Sequence, residues 1–138
     1  MDKSVLDTDI LSEVLKAKSR VVVDRATAYK SVFEQVTLSA ITVMEVVAGF
    51  HKQNRVDALQ KFLDGLRNSE VLNFDQACAE IAGRIYADLE RNGQPVGRAD
   101  PMIASIAIHH NLVLVTGNTE HYQRIQALGY PLKLDNWR

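Results

Sequence analysis

The sequence predicts an α/β domain with a largely parallel central sheet. Short apolar, strand-like segments alternate with amphipathic helical stretches along the chain. The clearest strand, Leu112 to Val115, is bracketed by two helical segments. A length of 138 residues with 46% hydrophobic and 24% charged side chains suits one self-supporting domain, residues 1–138, and no linker, repeat or low-complexity tract divides it.

In chain order, Ser4-Val5-Leu6 reads as a buried strand, and Thr8 to Lys16 places Ile10, Leu11, Val14 and Leu15 on one helical face. A second helix is expected within Arg20 to Gln35, despite its β-branched start Val21-Val22-Val23. Thr37-Leu38-Ser39 reads as a strand and Ala40 to Lys52 as a helix so apolar around its circumference that it should be buried. From Arg55 to Leu66 the residues Val56, Leu59, Phe62, Leu63 and Leu66 recur at helical spacing, and Glu70 to Phe74 follows as a strand. Asp75 then caps a long helix to about Asn92, with Glu80, Arg84 and Asp88 expected as a paired outer face. The segment from Asn92 to Gly97, with two glycines and a proline, is a loop. Asp100-Pro101 reads as cap and first turn of a helix to about His110, whose His109 and His110 suit its C-terminal dipole. Thr119 to Leu128, capped by Asn118 or Thr119 and stopped by Gly129, is a short helix before a last strand near Leu132 to Leu134.

Composition removes several function classes. Sixteen basic against seventeen acidic residues give a net charge of −1, so no broad basic surface is available for a polyanion. The longest nearly apolar run, Met102 to Ile108, falls far short of the roughly 20 residues that span a bilayer. The amino-terminal segment lacks the apolar stretch of a secretory signal, and a cytoplasmic location is expected. The one cysteine, Cys78, shares a helical face with Ile81, Ala82, Ile85 and Leu89, which predicts a buried, inert thiol.

Ligands of open parallel sheets bind beyond the carboxyl ends of the strands, and polar residues gather there. Asp7, Thr8 and Asp9 follow the first strand; Thr116, Gly117, Asn118, Thr119 and Glu120 follow the strand Leu112 to Val115; Asp100 opens the helix before it. Each acid at a helix start is also explained as a cap. Glu45 is not, because it lies in mid-helix between Ile41 and Gly49, where a carboxylate needs a cation or a salt bridge, for example to Arg98 or Arg20. Asp7, Glu45 and Asp100 clustered in a cleft would repel one another unless a divalent cation joins them. Oxygen-only ligands suit Mg²⁺ or Mn²⁺, and His51, His109, His110, His121 and Cys78 form no recognisable zinc set. Phosphodiester hydrolysis is the chemistry such a site serves.

Four segments, Leu6-Asp7-Thr8-Asp9-Ile10-Leu11, Ser39-Ala40-Ile41-Thr42-Val43-Met44-Glu45-Val46, Gly97-Arg98-Ala99-Asp100-Pro101-Met102-Ile103-Ala104 and Val115-Thr116-Gly117-Asn118-Thr119, together resemble the motifs of PIN-domain ribonucleases. More narrowly they resemble the VapC-like toxins of toxin–antitoxin pairs, as does the ending Leu134-Asp135-Asn136-Trp137. The resemblance implies a three-layer α/β/α PIN-like domain and Mg²⁺-dependent cleavage of RNA. It assigns Asp7, Glu45 and Asp100 to the metal-binding cluster, Thr8 and Thr116 to support, and Asn118 to the site's edge. A cognate antitoxin protein and a homodimer are further implications.

The chain departs from the family pattern at His121, which stands where a fourth acid is common, with Tyr122 after it. Glu120, one place early, is a candidate replacement, Asp9 stands where Asn is common, and Pro101 replaces an apolar residue. His121 is a candidate general acid or phosphate contact, and Arg98 a candidate for the RNA backbone. Two rival readings are a catalytically lost PIN-like RNA- or protein-binding module, marked by His121, and a phosphatase built on Asp7-Thr8-Asp9.

Overall fold

The computed structural model describes residues 1–138. The elements run β1 (Ser4–Leu6), α1 (Thr8–Lys16), α2 (Arg20–Phe33), β2 (Val36–Ser39), α3 (Ala40–Lys52), α4 (Val56–Gly65), a 3₁₀ turn (Leu66–Asn68), β3 (Ser69–Leu72), α5 (Gln76–Arg91), α6 (Asp100–His109), β4 (Val113–Val115), α7 (Thr119–Ala127) and β5 (Lys133–Asp135). The five strands form one sheet in the order β3-β2-β1-β4-β5, and every pairing is parallel.

Parallel neighbours need crossover connections, and right-handed crossovers place helices on a face set by the direction of travel. From β1 the chain steps outward to β2 and β3, so α1 to α4 cover one face. It then returns past β1 to β4 and β5, and α5 to α7 cover the other. The alternation of side chains along the strands divides the core accordingly. Val5 and Leu114 join Ile85, Ile103, Ile106, Tyr122 and Ile125 in one cluster, while Leu6 and Val115 join Ile10, Val22, Tyr29, Phe62 and Trp137 in the other. The result is the expected three-layer α/β/α arrangement. Its reversal of strand order lies between β1 and β4, which makes their carboxyl ends the natural binding edge.

Some local expectations hold, the helical valines and the buried Cys78 among them, and others are corrected. The strand expected at Glu70 to Phe74 lies at Ser69–Leu72, because the 3₁₀ turn ends early, and the last strand lies one residue later than expected. The triple valine at 21–23 is helical, with Ser19 accepting from the Val22 N–H at 3.3 Å. Helix α3 is not buried all round: Met44 is 54% exposed, and Ala48 and Gly49 face solvent. Asp88 does not pair with Arg84; it pairs with Arg91 and accepts from the Tyr130 hydroxyl at 2.5 Å. Cys78 is fully buried, and burial pushes its thiol up to about 11, so it is unreactive at neutral pH. No helix is long and apolar enough to cross a membrane.

Candidate active site

Asp7 is held where β1 meets β4. Its own N–H donates to the Val115 carbonyl at 2.9 Å, continuing the parallel ladder one residue past the strands. As N-cap of α1 it accepts the Thr8 N–H on Oδ1 at 2.8 Å, and its Oδ2 accepts the Thr116 hydroxyl at 2.8 Å. Capping and site placement, alternatives in the sequence, are therefore one geometry. The side chain is nearly inaccessible, and burial, followed by the Asp9 charge, pushes its carboxyl up to about 6 despite the hydrogen bonds from Thr116 and Thr8.

Glu45 reaches Asp7's neighbour rather than an arginine. The Thr8 hydroxyl donates to Glu45 Oε1 at 2.6 Å, and Thr42 Oγ1 lies 3.0 Å from Thr8 Oγ1. Thr42 is itself placed by Ser39, the N-cap of α3, whose Oγ accepts the Thr42 N–H at 3.1 Å. Hydroxyls from the ends of β1 and β2 thus lead to the carboxylate. Arg20 pairs instead with Asp24, and Arg98 is exposed.

Asp100 occupies the first turn of α6 but is not its cap. Ala99 is the N-cap residue, and the Asp100 carboxylate turns back to accept the Gly97 N–H at 3.1 Å. It also accepts the Tyr122 hydroxyl at 3.3 Å, and His121 Nδ1 lies 3.1 Å from its Oδ2. The same ring nitrogen is 2.9 Å from Asn118 Nδ2, so it donates to Asp100 when protonated and accepts from Asn118 when not. Asn118 is the N-cap residue of α7, one of the two positions expected, but its side chain makes no capping bond and turns to His121 instead.

Two further residues join these contacts, and of them only Tyr122 is absent from the sequence's candidates. Tyr122 is fully buried and its hydroxyl lies between the two aspartates; burial, then the charges of Asp7 and Asp100, raise its pKa well above the ordinary value. Its spacing with Ile125 reads as core packing, and nothing local marks the hydroxyl. Asp9 does more than the capping its position suggests: it accepts the Ile10 N–H on Oδ1, and its Oδ2 accepts the Gly117 N–H at 2.9 Å and so ties α1 to the turn after β4. Glu120 moves the other way. Its side chain is 85% exposed and lies 4.0 Å from Arg124, apart from the contacts that join the other acids.

The donors around Asp7 are oxygens throughout, which fits a hard divalent cation. No three His, Cys, Asp or Glu side chains come close enough to enclose an ion by themselves. A closed zinc site does not fit such a set, and an ion held here would need water to complete its shell.

Comparison with known proteins meets this geometry: residues 4–127 match the PIN domain family. The chain belongs to that family. This PIN domain is 33% identical over 129 residues to the tRNA(fMet)-specific endonuclease VapC of Shigella flexneri, an alignment covering 93% of this chain and 96% of the relative. It is 31% identical over 124 residues to Toxin FitB of Neisseria gonorrhoeae, covering 83% and 87%. Among solved structures, the DNA-bound VapBC of Salmonella typhimurium superposes with a TM-score of 0.83 at 31% identity, over 100% of both chains.

Proposed function

We propose that this chain is a metal-dependent endoribonuclease and the toxin of a toxin–antitoxin pair, acting in the cytoplasm. The observation that carries the reading is the buried Asp7 at the reversal point of the sheet, joined to Glu45 through Thr8 and flanked by Asp100 through Tyr122. Asp7, Glu45 and Asp100 would hold Mg²⁺, with Mn²⁺ as substitute. When bound there, the cation supplies the positive charge that an RNA phosphate needs and lowers the pKa of its water.

The chain's own groups set the rest. Thr8 and Thr116 fix the carboxylates, so that no side chain has to reorganise when charge develops on phosphorus. Asn118 and His121 border Asp100 and present hydrogen-bonding groups to a leaving oxygen or a phosphate. Arg98, exposed two residues before Asp100, is the residue assigned here to the RNA backbone. The naming of relatives as VapC ribonucleases and as a toxin, and the VapBC complex among structural neighbours, support a cognate antitoxin protein as partner, and a homodimer is part of the same proposal.

Purified protein is expected to cleave a panel of transfer, ribosomal and messenger RNA with Mg²⁺ or Mn²⁺ and to stop on addition of chelator. Chelator-resistant cleavage would remove the metal from the mechanism. Glu45→Gln is expected to lose activity while keeping its melting temperature, because the Thr8 hydroxyl can still donate to the amide oxygen. A melting temperature lowered by many degrees would make Glu45 a structural anchor instead. Co-expression with the neighbouring reading frame tests the toxin assignment: a tight complex that suppresses cleavage is expected.

A further inference from the structure

Arg138 lies beyond β5 and outside the residues that match the PIN family. Its guanidinium returns to the carboxyl edge of the sheet. Nε donates to Glu13 Oε1 at 2.8 Å and Nη2 lies 3.5 Å from Asp9 Oδ2, so one side chain engages two acids one helical turn apart on α1. The arm that carries it is anchored. Trp137 is 2% exposed and packs with its ring centroid 6.0 Å from that of Tyr29, and the Arg138 N–H donates to Asn136 Oδ1 at 3.0 Å.

Gly117 gives an independent sign of the same seat. Its φ is not in the left-handed region, so its backbone is open to any residue. A Cβ built there, however, would lie 2.0 Å from Arg138 Nη1 and 2.8 Å from Asp9 Oδ2. The guanidinium therefore rests against the bare backbone of the turn after β4. That turn is pinned on both sides of Gly117: the Thr116 hydroxyl donates to Asp7, the Gly117 N–H to Asp9, and the Asn118 N–H to Thr116 Oγ1 at 2.9 Å.

We propose that Arg138 is a positioning residue for the cleavage site, tying Asp9 to Glu13 over Gly117 so that the Thr116-Gly117-Asn118 turn holds Asp7 and Asn118 in place. The inference rests on the functional reading above, in which Asp7 belongs to the site. The ion pairs of Arg138 are made to carboxylates of its own chain, and it acts through them on the turn.

The test uses the full chain. In Arg138→Ala, kcat for RNA cleavage is expected to fall about tenfold with KM within about twofold of wild type, as a slightly misplaced group costs turnover more than binding. In the same variant, without RNA or metal, the Gly117 amide is expected to exchange with solvent about tenfold faster while the melting temperature barely moves. Arg138→Lys, which keeps the charge but not the fork, is expected to recover part of both losses. Wild-type kcat with wild-type Gly117 exchange would overturn the proposal, and so would a raised KM at unchanged kcat, which would make Arg138 an RNA contact. Asp7→Asn is assayed alongside: cleavage at the wild-type rate in that variant would overturn the site assignment itself, whereas an inactive Asp7→Asn beside a fully active Arg138→Ala overturns only the role given to Arg138.

Discussion

Asp7→Asn is expected to abolish RNA cleavage, a fall of at least about a thousandfold if Asp7 anchors the cation, and at the same time to stabilise the metal-free protein at neutral pH. The two effects have one cause. Burial and the Asp9 charge raise the Asp7 carboxyl to about 6, so at pH 7.5 the folded chain carries an anion that it binds less well than water does. The sign follows from linkage. A carboxyl whose pKa is raised by folding leaves the fold unpenalised while it is protonated in both states, below about pH 4, and destabilises it progressively as pH rises through 6. At 1.36 kcal/mol for each pKa unit, the penalty at neutral pH is on the order of 3 kcal/mol. Asparagine removes the charge and keeps an acceptor for the Thr8 N–H, while its amide meets Thr116 less well than the carboxylate does. A net gain of about 1–3 kcal/mol at pH 7.5, shrinking towards zero at pH 4.5, is therefore expected in chelator-treated protein. Thermal melts at the two pH values check it. A gain equal at both would show that charge is not its origin, and Mg²⁺ should raise the melting temperature of wild type alone.

The other large effect belongs to stability, at the opposite end of β1. Strands β1 and β2 pair at Leu6 and Leu38, and at Ser4 the buried Tyr29 hydroxyl takes over. It accepts the Ser4 N–H at 3.2 Å and lies 3.0 Å from the Ser4 carbonyl and 3.1 Å from Thr37 Oγ1. Tyr29→Phe keeps the ring packed on Phe33 and Trp137 but strands a buried backbone donor and weakens the pairing of its carbonyl. The expected loss is about 2–3 kcal/mol, because a buried polar group without a partner costs its full desolvation. For a chain of this length that is roughly 6–10 °C of melting temperature. Cleavage at low temperature should be unchanged. A melting temperature within a degree of wild type would show that water or β2 replaces the hydroxyl.

Much of the fold is legible along the chain because its signals are local. The alternation of strand and helix, the caps at Ser39 and Asp75, and the buried face of Cys78, Ala82, Ile85 and Leu89 each depend on residues a few places apart. The acids Asp7, Glu45 and Asp100 are also legible, Asp7 directly after β1 and Glu45 within α3. Composition carries no direction: Met44 and Ala48 of the apolar α3 face outward, and the Glu120 side chain points to solvent.

Propensity and periodicity act over single turns and strands, and an α/β chain with a parallel sheet and a set of carboxylates beyond its strands follows from them alone. The return of β4 to lie against β1 comes from the packing of the whole sheet. That placement brings Thr116 to Asp7 across 109 residues, sets the Tyr122 hydroxyl beside Asp100, and folds Arg138 over Gly117 onto Asp9 and Glu13. Such contacts follow from strand order and from which face each helix covers, and these are properties of the packed sheet with no counterpart in any short stretch of chain.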